Sequence, residues 1–213
     1  ELIIDGCTIT GNNALSGGGV DSFSAITQII NSTISGNTAG FGAGVFNEKS
    51  EVSISSTTIV SNAAVTAVGG ILTSSTSPIG TTVINNTIVA GNTEAVDFPS
   101  DIASNNESFI NLNLGSSANI IGDANSSGGL FDGINLNQVG IGGVGVRPLN
   151  SIVGPLEVNG GPTATHALAE GSPAIDAGNN QAAPNNTFDQ RGIPVTNTSS
   201  LGGSPTYLRT VND

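Results

Sequence analysis

Two aspartates in one short stretch are the residues whose types and spacing best fit a chemical reaction. Asp97 and Asp101 lie in a segment with Phe98 and Pro99 that predicts a loop. A glycosidase uses two carboxyl groups about 5–9.5 Å apart, one of them as the acid. None of the aspartates considered recurs at one position of the repeat described below; they are Asp5, Asp21, Asp97, Asp101, Asp123 and Asp132. Among them Asp97 and Asp101 form the candidate catalytic pair.

A second chemistry to consider is calcium-dependent cleavage of an acidic polysaccharide. A lyase of that kind needs clustered carboxylates for the metal and an Arg or Lys nearby as the base. The chain has four basic residues, and they are far apart in sequence: Lys49, Arg147, Arg191 and Arg209. We therefore predict no cofactor, with Ca²⁺ as the one exception that the acidic composition leaves open.

The charge balance excludes several kinds of partner. The net charge is −12, and scattered cations cannot follow a phosphate backbone, so the sequence predicts no nucleic-acid binding. No apolar run approaches the roughly 20 residues that span a bilayer, which argues against membrane insertion. Tyr207 is the only tyrosine and tryptophan is absent, so an aromatic platform for a glycan is missing.

The elements that would position a site come from an internal repeat. A Thr-Ile motif leads to an Asn in four copies, whose Thr residues are spaced by 25, 25 and 29 residues: Thr8–Asn12, Thr33–Asn37, Thr58–Asn62 and Thr87–Asn92. Two further motifs follow each early copy, a Gly-Gly-Val type of sequence and an alternating stretch such as Ala25-Ile26-Thr27. Each period thus predicts three short strands separated by Gly, Asn and Ser turns.

This repeat defines the predicted fold. β-branched residues dominate and no 3.6-residue period occurs, which excludes a helical repeat. A β-sandwich would not show a fixed period of about 25 residues. The sequence therefore predicts an all-β, single-stranded right-handed parallel β-helix, with three short strands per coil of about 25 residues and irregular C-terminal coils or a cap.

The Asn column has a structural explanation. Asn tolerates the left-handed backbone conformation of a sharp corner, and stacked Asn side chains can hydrogen-bond from coil to coil. We expect a structural ladder in which the isoleucines stack inside the core and the Thr neighbours face outward. Its members are Asn12, Asn37, Asn62, Asn92, Ile9, Ile34, Ile59 and Ile88.

The repeat weakens towards the C-terminus. We divide one domain, residues 1–213, into regular coils at 1–95, irregular coils and loops at 96–150, and a Pro-rich closing segment at 151–213. Proline disfavours regular ladders. The last segment is therefore predicted to wrap or cap the end of the solenoid, where exposed sheet edges need cover.

Four blocks between residues 152 and 194 carry a family resemblance; they are Gly154-Pro155-Leu156, Asn159 to Leu168, Gly171 to Gly178, and Asp189-Gln190-Arg191-Gly192. Together they resemble the closing segment of bacterial extracellular β-helix proteins with a choice-of-anchor Q type domain, which are similar in fold to pectate lyases. The resemblance implies a secreted or cell-surface protein from a bacterium, without an established enzyme activity.

The polar residues of these blocks are predicted to hold the closing segment. His166 is the only histidine and could act as a base, but its setting favours a hydrogen-bonding role. Arg191 can pair with Asp189 or with Asp176. We therefore assign His166, Asp176, Asp189 and Arg191 to the cap.

Low charge and few aromatic residues favour a structural role for such a rod. The sequence predicts a non-catalytic, extracellular, adhesin-like solenoid that self-associates through its coil ends into fibres. The alternative is a β-helix that binds or degrades an extracellular polysaccharide.

Overall fold

A computed structural model of the chain describes residues 1–74, 80–95, 97–104, 115–179 and 188–194. In these residues the chain winds through stacked coils, and each strand pairs in parallel with the equivalent strand of the next coil. The prediction of an all-β chain made of stacked parallel strands is thereby confirmed.

Four sheets run along the stack, and the strands are numbered in chain order. Sheet 1 contains β1 (Leu2–Asp5), β5 (Ile26–Ile30), β9 (Glu51–Ser55) and β13 (Thr81–Asn85). Sheet 2 contains β2 (Thr8–Thr10), β6 (Thr33–Ser35), β10 (Thr58–Val60), β14 (Ile88–Ala90), β18 (Ile120–Ile121) and β19 (Gln138–Val139).

The other two sheets complete each coil. Sheet 3 contains β3 (Asn13–Ser16), β7 (Thr38–Phe41), β11 (Ala63–Ala67), β15 (Thr93–Glu94) and β16 (Phe98–Pro99). Sheet 4 contains β4 (Val20–Phe23), β8 (Val45–Glu48), β12 (Ile71–Ser74) and β17 (Ile102–Ser104). The three predicted strand positions correspond to sheets 2, 4 and 1, and sheet 3 adds a short strand after each Asn corner.

The remaining elements are short. An antiparallel pair joins β20 (Val153–Glu157) to β21 (Thr165–Leu168). Single 3-10 turns in the described part of the chain include Ala124–Ser126, Ile134–Leu136 and Leu149–Ser151. Residues 195–213 of the predicted closing segment lie outside the described residues.

Columns of aliphatic side chains fill the interior. The parallel register places one isoleucine or valine of each coil directly over its counterpart: Ile4, Ile29, Ile54 and Ile84 in sheet 1, and Val20, Val45, Ile71 and Ile102 in sheet 4. Sheet 3 contributes the small residues Ala39 and Ala64 to a separate buried cluster. Stacked branched aliphatics thus form the core without large aromatics.

The prediction for one core residue is one position too early in the sequence. Sheet 2 pairs Ile59 with Val89 and Thr58 with Ile88. Val89 therefore continues the inner column of Ile34 and Ile59, whereas Ile88 faces outward, where it is buried by another part of the chain. The prediction for Ile88 is wrong because the core residue stands three positions before the Asn in every copy, and the fourth copy has an extra residue between Thr and Asn.

The left-handed corner residue is also not the Asn. The residue before it has the positive φ: 67° at Gly36, 57° at Ser61 and 63° at Gly91. Glycine is favoured at such positions because it has no Cβ to clash. The Asn that follows is then free to direct its side chain along the stack.

Candidate functional site

A ladder of Asn side chains runs along the corner between sheets 2 and 3. In each step the Oδ1 of one Asn accepts two hydrogen bonds from the Asn of the preceding coil, one from its main-chain N–H and one from its Nδ2, at 2.9–3.0 Å. The participants are Asn12, Asn37, Asn62 and Asn92, and all but Asn12 are fully buried.

The second Nδ2 hydrogen of each buried Asn also has an acceptor. Asn37, Asn62 and Asn92 donate to the carbonyl oxygens of the core residues one coil earlier, each at 3.0 Å. Those acceptors are Ile9, Ile34 and Ile59. Each buried amide thereby links three successive coils.

The ladder ends on Asp101. Its Oδ1 accepts the main-chain N–H and Nδ2 of Asn92 at 3.1 and 2.9 Å, as an Asn carbonyl does elsewhere in the ladder. Its Oδ2 accepts the main-chain N–H of Asp123 at 2.8 Å. The antiparallel pair β15–β16 turns the chain back, so the next rung comes after nine residues instead of a full coil.

The structure does not bring the candidate catalytic pair into one site. The carboxylate of Asp101 is buried and both of its oxygens accept hydrogen bonds from the protein. Asp97 is exposed, with a φ of 62°. An acid or base must reach its substrate, so this position suits Asp101 as a structural acceptor and not as a catalytic group.

Burial dominates the electrostatics of Asp101. Desolvation raises its pKa to about 7, and the hydrogen bonds from Asn92 and from the Asp123 N–H oppose that rise. The neighbouring Asp123 carboxylate adds to it. Ser126 links the two aspartates. Its hydroxyl donates to Asp123 Oδ2 at 2.7 Å and accepts the main-chain N–H of Asp101 at 2.8 Å.

The Pro-rich segment lies along a side of the solenoid. We call residues 149–179 and 188–194 the strap. Apolar residues of the strap pack on the outward side chains of sheet 2 in a second buried cluster, which contains Val60, Ile88, Ala90, Ile120, Ile152, Val153 and Ala174. These residues do not cap the solenoid end as predicted. They cover the later strands of sheet 2, whose outward side chains are apolar.

His166 fastens the strap to the second coil. Its Nδ1 lies 2.7 Å from the carbonyl oxygen of Gly154, which can only accept, so Nδ1 carries the proton. Its Nε2 then accepts a hydrogen bond from the Ser35 hydroxyl at 2.9 Å. Burial lowers the pKa of His166, while the carbonyl of Gly154 opposes the shift. Both ring nitrogens are therefore engaged in holding the strap.

Gln190 is a contact that sequence reasoning named only as part of a motif. Its Nε2 lies 2.9 Å from the Thr8 hydroxyl and 3.1 Å from the Cys7 carbonyl, and its Oε1 accepts from the Thr33 hydroxyl at 2.8 Å. A single side chain thus joins the strap to the first two coils. Its only signal in the sequence is its place in the Asp-Gln-Arg-Gly block.

The turn that presents Gln190 is held by an ion pair. Asp189 Oδ2 accepts from Nε and Nη2 of Arg191 at 2.8 and 2.6 Å, and Asp189 Oδ1 accepts the main-chain N–H groups of Arg191 and Ile193. The alternative partner, Asp176, lies elsewhere, on an open cleft with Arg147.

The described residues show neither a metal cluster nor a membrane-spanning helix. No group of three or more His, Cys, Asp or Glu side chains there is arranged to hold a metal ion. No helix in the same residues is long and apolar enough to cross a membrane.

The chain matches no family model, no curated protein and no solved structure. Its stacked coils define its class by fold alone: it is a parallel β-solenoid with a lateral strap.

Replacing a central rung should destabilise the stack. Asn62→Ala removes the acceptor of two Asn37 donors and one donor to the Ile34 carbonyl in a buried corner, so we expect the free energy of unfolding to fall by about 2–4 kcal/mol. Asn12→Ala is the control, because that residue is exposed and no rung precedes it in the described ladder. Denaturant unfolding measures both, and equal losses would contradict the ladder's role.

The raised pKa of Asp101 should make stability depend on pH. The folded chain holds this proton more tightly than the unfolded chain, so the contribution is complete below about pH 4 and disappears as the pH rises through about 7. The expected loss of unfolding free energy over that range is roughly 4 kcal/mol. Asp101→Asn should lack this pH-dependent part of the unfolding free energy. Profiles of stability against pH with the same shape for both proteins would contradict the assignment to Asp101.

The Arg191 ion pair should matter more than the exposed one. Arg191→Ala leaves Asp189 short of two donors in a largely covered turn, which we expect to cost about 1–3 kcal/mol and to lower the Tm by several degrees. Lys49→Ala is the control, since Lys49 and Glu48 are 3.6 Å apart and more exposed than the Arg191 pair; its cost should stay below about 1 kcal/mol. An unchanged Tm for Arg191→Ala would contradict the assignment.

Proposed function

We propose that this chain is a non-catalytic structural solenoid of a bacterial cell surface or extracellular matrix, with an adhesin-like role. The observation that carries the proposal is the use of its chemically versatile side chains for cohesion. Asp101 ends the buried ladder, His166 and Gln190 bind the strap, and Asp189 holds Arg191.

The polysaccharide-degrading alternative is less well supported. It requires Asp97 and Asp101 to act on one substrate, and the burial of the Asp101 carboxylate argues against that arrangement. Activity on polygalacturonate or alginate that is lost in Asp97→Ala would restore it.

The extracellular assignment rests on the resemblance to choice-of-anchor Q type segments of pectate-lyase-like β-helix proteins. The residues that carry the resemblance are those that join strap and coils, including His166 and Gln190. We further propose the right-handed coil of those proteins, because connections between parallel strands of one sheet are right-handed in nearly all known cases.

The first coil offers a surface for self-association. β1, β2, β3 and β4 are each the outermost strand of their sheet, so one row of main-chain groups in each faces outward along the axis. Ile3 and Leu15 on this coil are 59% and 81% exposed. At the other side of the stack the antiparallel β16 closes sheet 3, whereas sheet 2 continues through β18 to β19. We propose that two first coils pair end to end.

Charge placed on the first coil should abolish this association. We expect wild-type protein to have twice the 21.0 kDa mass of one chain in light scattering coupled to gel filtration. Ile3→Lys and Leu15→Lys should shift the mass to that of the monomer by burying an unpaired charge in the contact. Val65→Lys is the control, since Val65 is 74% exposed in the middle of sheet 3. A monomer at every concentration would overturn the proposed association.

A further inference from the structure

An open cleft lies where the last coils meet the strap. It has a volume of about 530 Å³ and is lined by Asp132, Gly133, Leu136, Asn137, Gln138, Gly142, Arg147, Asp176 and Ala177. Gln138 bridges its two walls, since its Nε2 donates to the Pro173 carbonyl of the strap at 3.0 Å. The volume is in the range of small-molecule sites.

Arg147 is the one basic residue that the described part of the chain places in this cleft, and it makes no ion pair there. Its main-chain N–H donates to the Gly122 carbonyl at 2.8 Å, which anchors its backbone to the stack. Its Nε–H is shielded from water, and no acceptor is in reach among the described residues. Neither ion pair found in the described part of the chain involves Arg147. The remainder of the Arg147 side chain lines the cleft, where a ligand carboxylate can pair with the guanidinium.

The cleft also presents two carboxylates that are not paired with Arg147. Asp132 is exposed and uses Oδ1 to accept the Val139 N–H at 2.9 Å. Asp176 is exposed at a left-handed φ of 55°. The arrangement therefore places one cation and two anions around a space that a small molecule can enter.

We propose that this cleft binds a small zwitterion, an α-amino acid, through its carboxylate on Arg147 and its ammonium group on Asp132 and Asp176. The cleft has one positive and two negative side chains, and the whole chain has a net charge of −12. A simple anion is repelled by this field, whereas a zwitterion satisfies both signs without net charge. Leu136 and Ala177 supply apolar contact for an aliphatic side chain. The inference is independent of the structural role proposed above.

Binding can be tested with leucine as the probe in a titration of the ¹⁵N-labelled chain followed by NMR. We expect saturable shifts of the amide signals of residues 132–147 and 173–177. Two fragments of leucine serve as comparison probes, 4-methylpentanoate without the ammonium group and 3-methylbutylamine without the carboxylate. Each should bind roughly tenfold more weakly or worse, because each leaves part of the cleft's charge unmatched.

Variants distinguish the two halves of the site. Arg147→Gln should weaken leucine binding about tenfold or more, and so should the double variant D132N/D176N, which keeps the Asp132 acceptor and a residue that tolerates the left-handed backbone. Lys49→Gln is the control for lost positive charge and should bind like wild type. The double variant also keeps the test open if Arg147→Gln does not fold.

Three results would overturn the proposal. The first is leucine that shifts no cleft signals, and the second is wild-type affinity in D132N/D176N. The third is equal or tighter binding of 4-methylpentanoate or galacturonate, which would identify the cleft as a site for simple anions.

Discussion

The stack depends on the complete use of one buried amide per coil. A tight corner brings main-chain groups inside, where an unmatched donor or acceptor costs about 1–3 kcal/mol. Asn62 provides partners for groups in three coils. Its Oδ1 accepts two hydrogen bonds from Asn37, and its Nδ2 donates to Asn92 Oδ1 and to the Ile34 carbonyl. The aliphatic columns can stack in register only while these corners remain aligned.

The strap changes the energetics of a simple solenoid. In a bare repeat array each coil contacts only its neighbours, so stability is a sum of local terms. Here one segment contacts Thr8 in the first coil, Ser35 in the second, and Gln138 near the far end. It also buries the outward face of sheet 2, including Ile88. Coils that are distant along the axis are thereby linked through a common partner, which favours cooperative unfolding over fraying from one end.

The sequence was informative where the period is regular. Thr, Ile and Asn recur every 25 residues up to Asn62, and local alternation is enough to place Ile34 and Ile59 in the core. It failed at the first irregular step, because the prediction counted from the Thr and the core position keeps its spacing from the Asn, which puts Val89 in place of Ile88. The strap was hidden for another reason. Its contacts with the first two coils join residues more than 130 positions apart, such as His166 and Ser35, and no short-range pattern encodes them. Arg147 stood out in the sequence only as an isolated cation.

All the hydrogen bonds of the ladder point the same way along the stack, and the last of them ends on the Asp101 carboxylate. Every Asn donates towards the C-terminal end and accepts at the other, so the amide dipoles align and their positive end points at the carboxylate. This alignment favours a negative charge there, as at a helix N-terminus, yet burial still raises the pKa of Asp101 to about 7. A carboxylate cannot donate, so this ladder stops at Asp101 although sheet 2 continues through β18 and β19. A separate pair holds those later coils, because Asn119 donates its main-chain N–H and its Nδ2 to Asn137 Oδ1. Asp101 therefore ends the ladder without ending the solenoid.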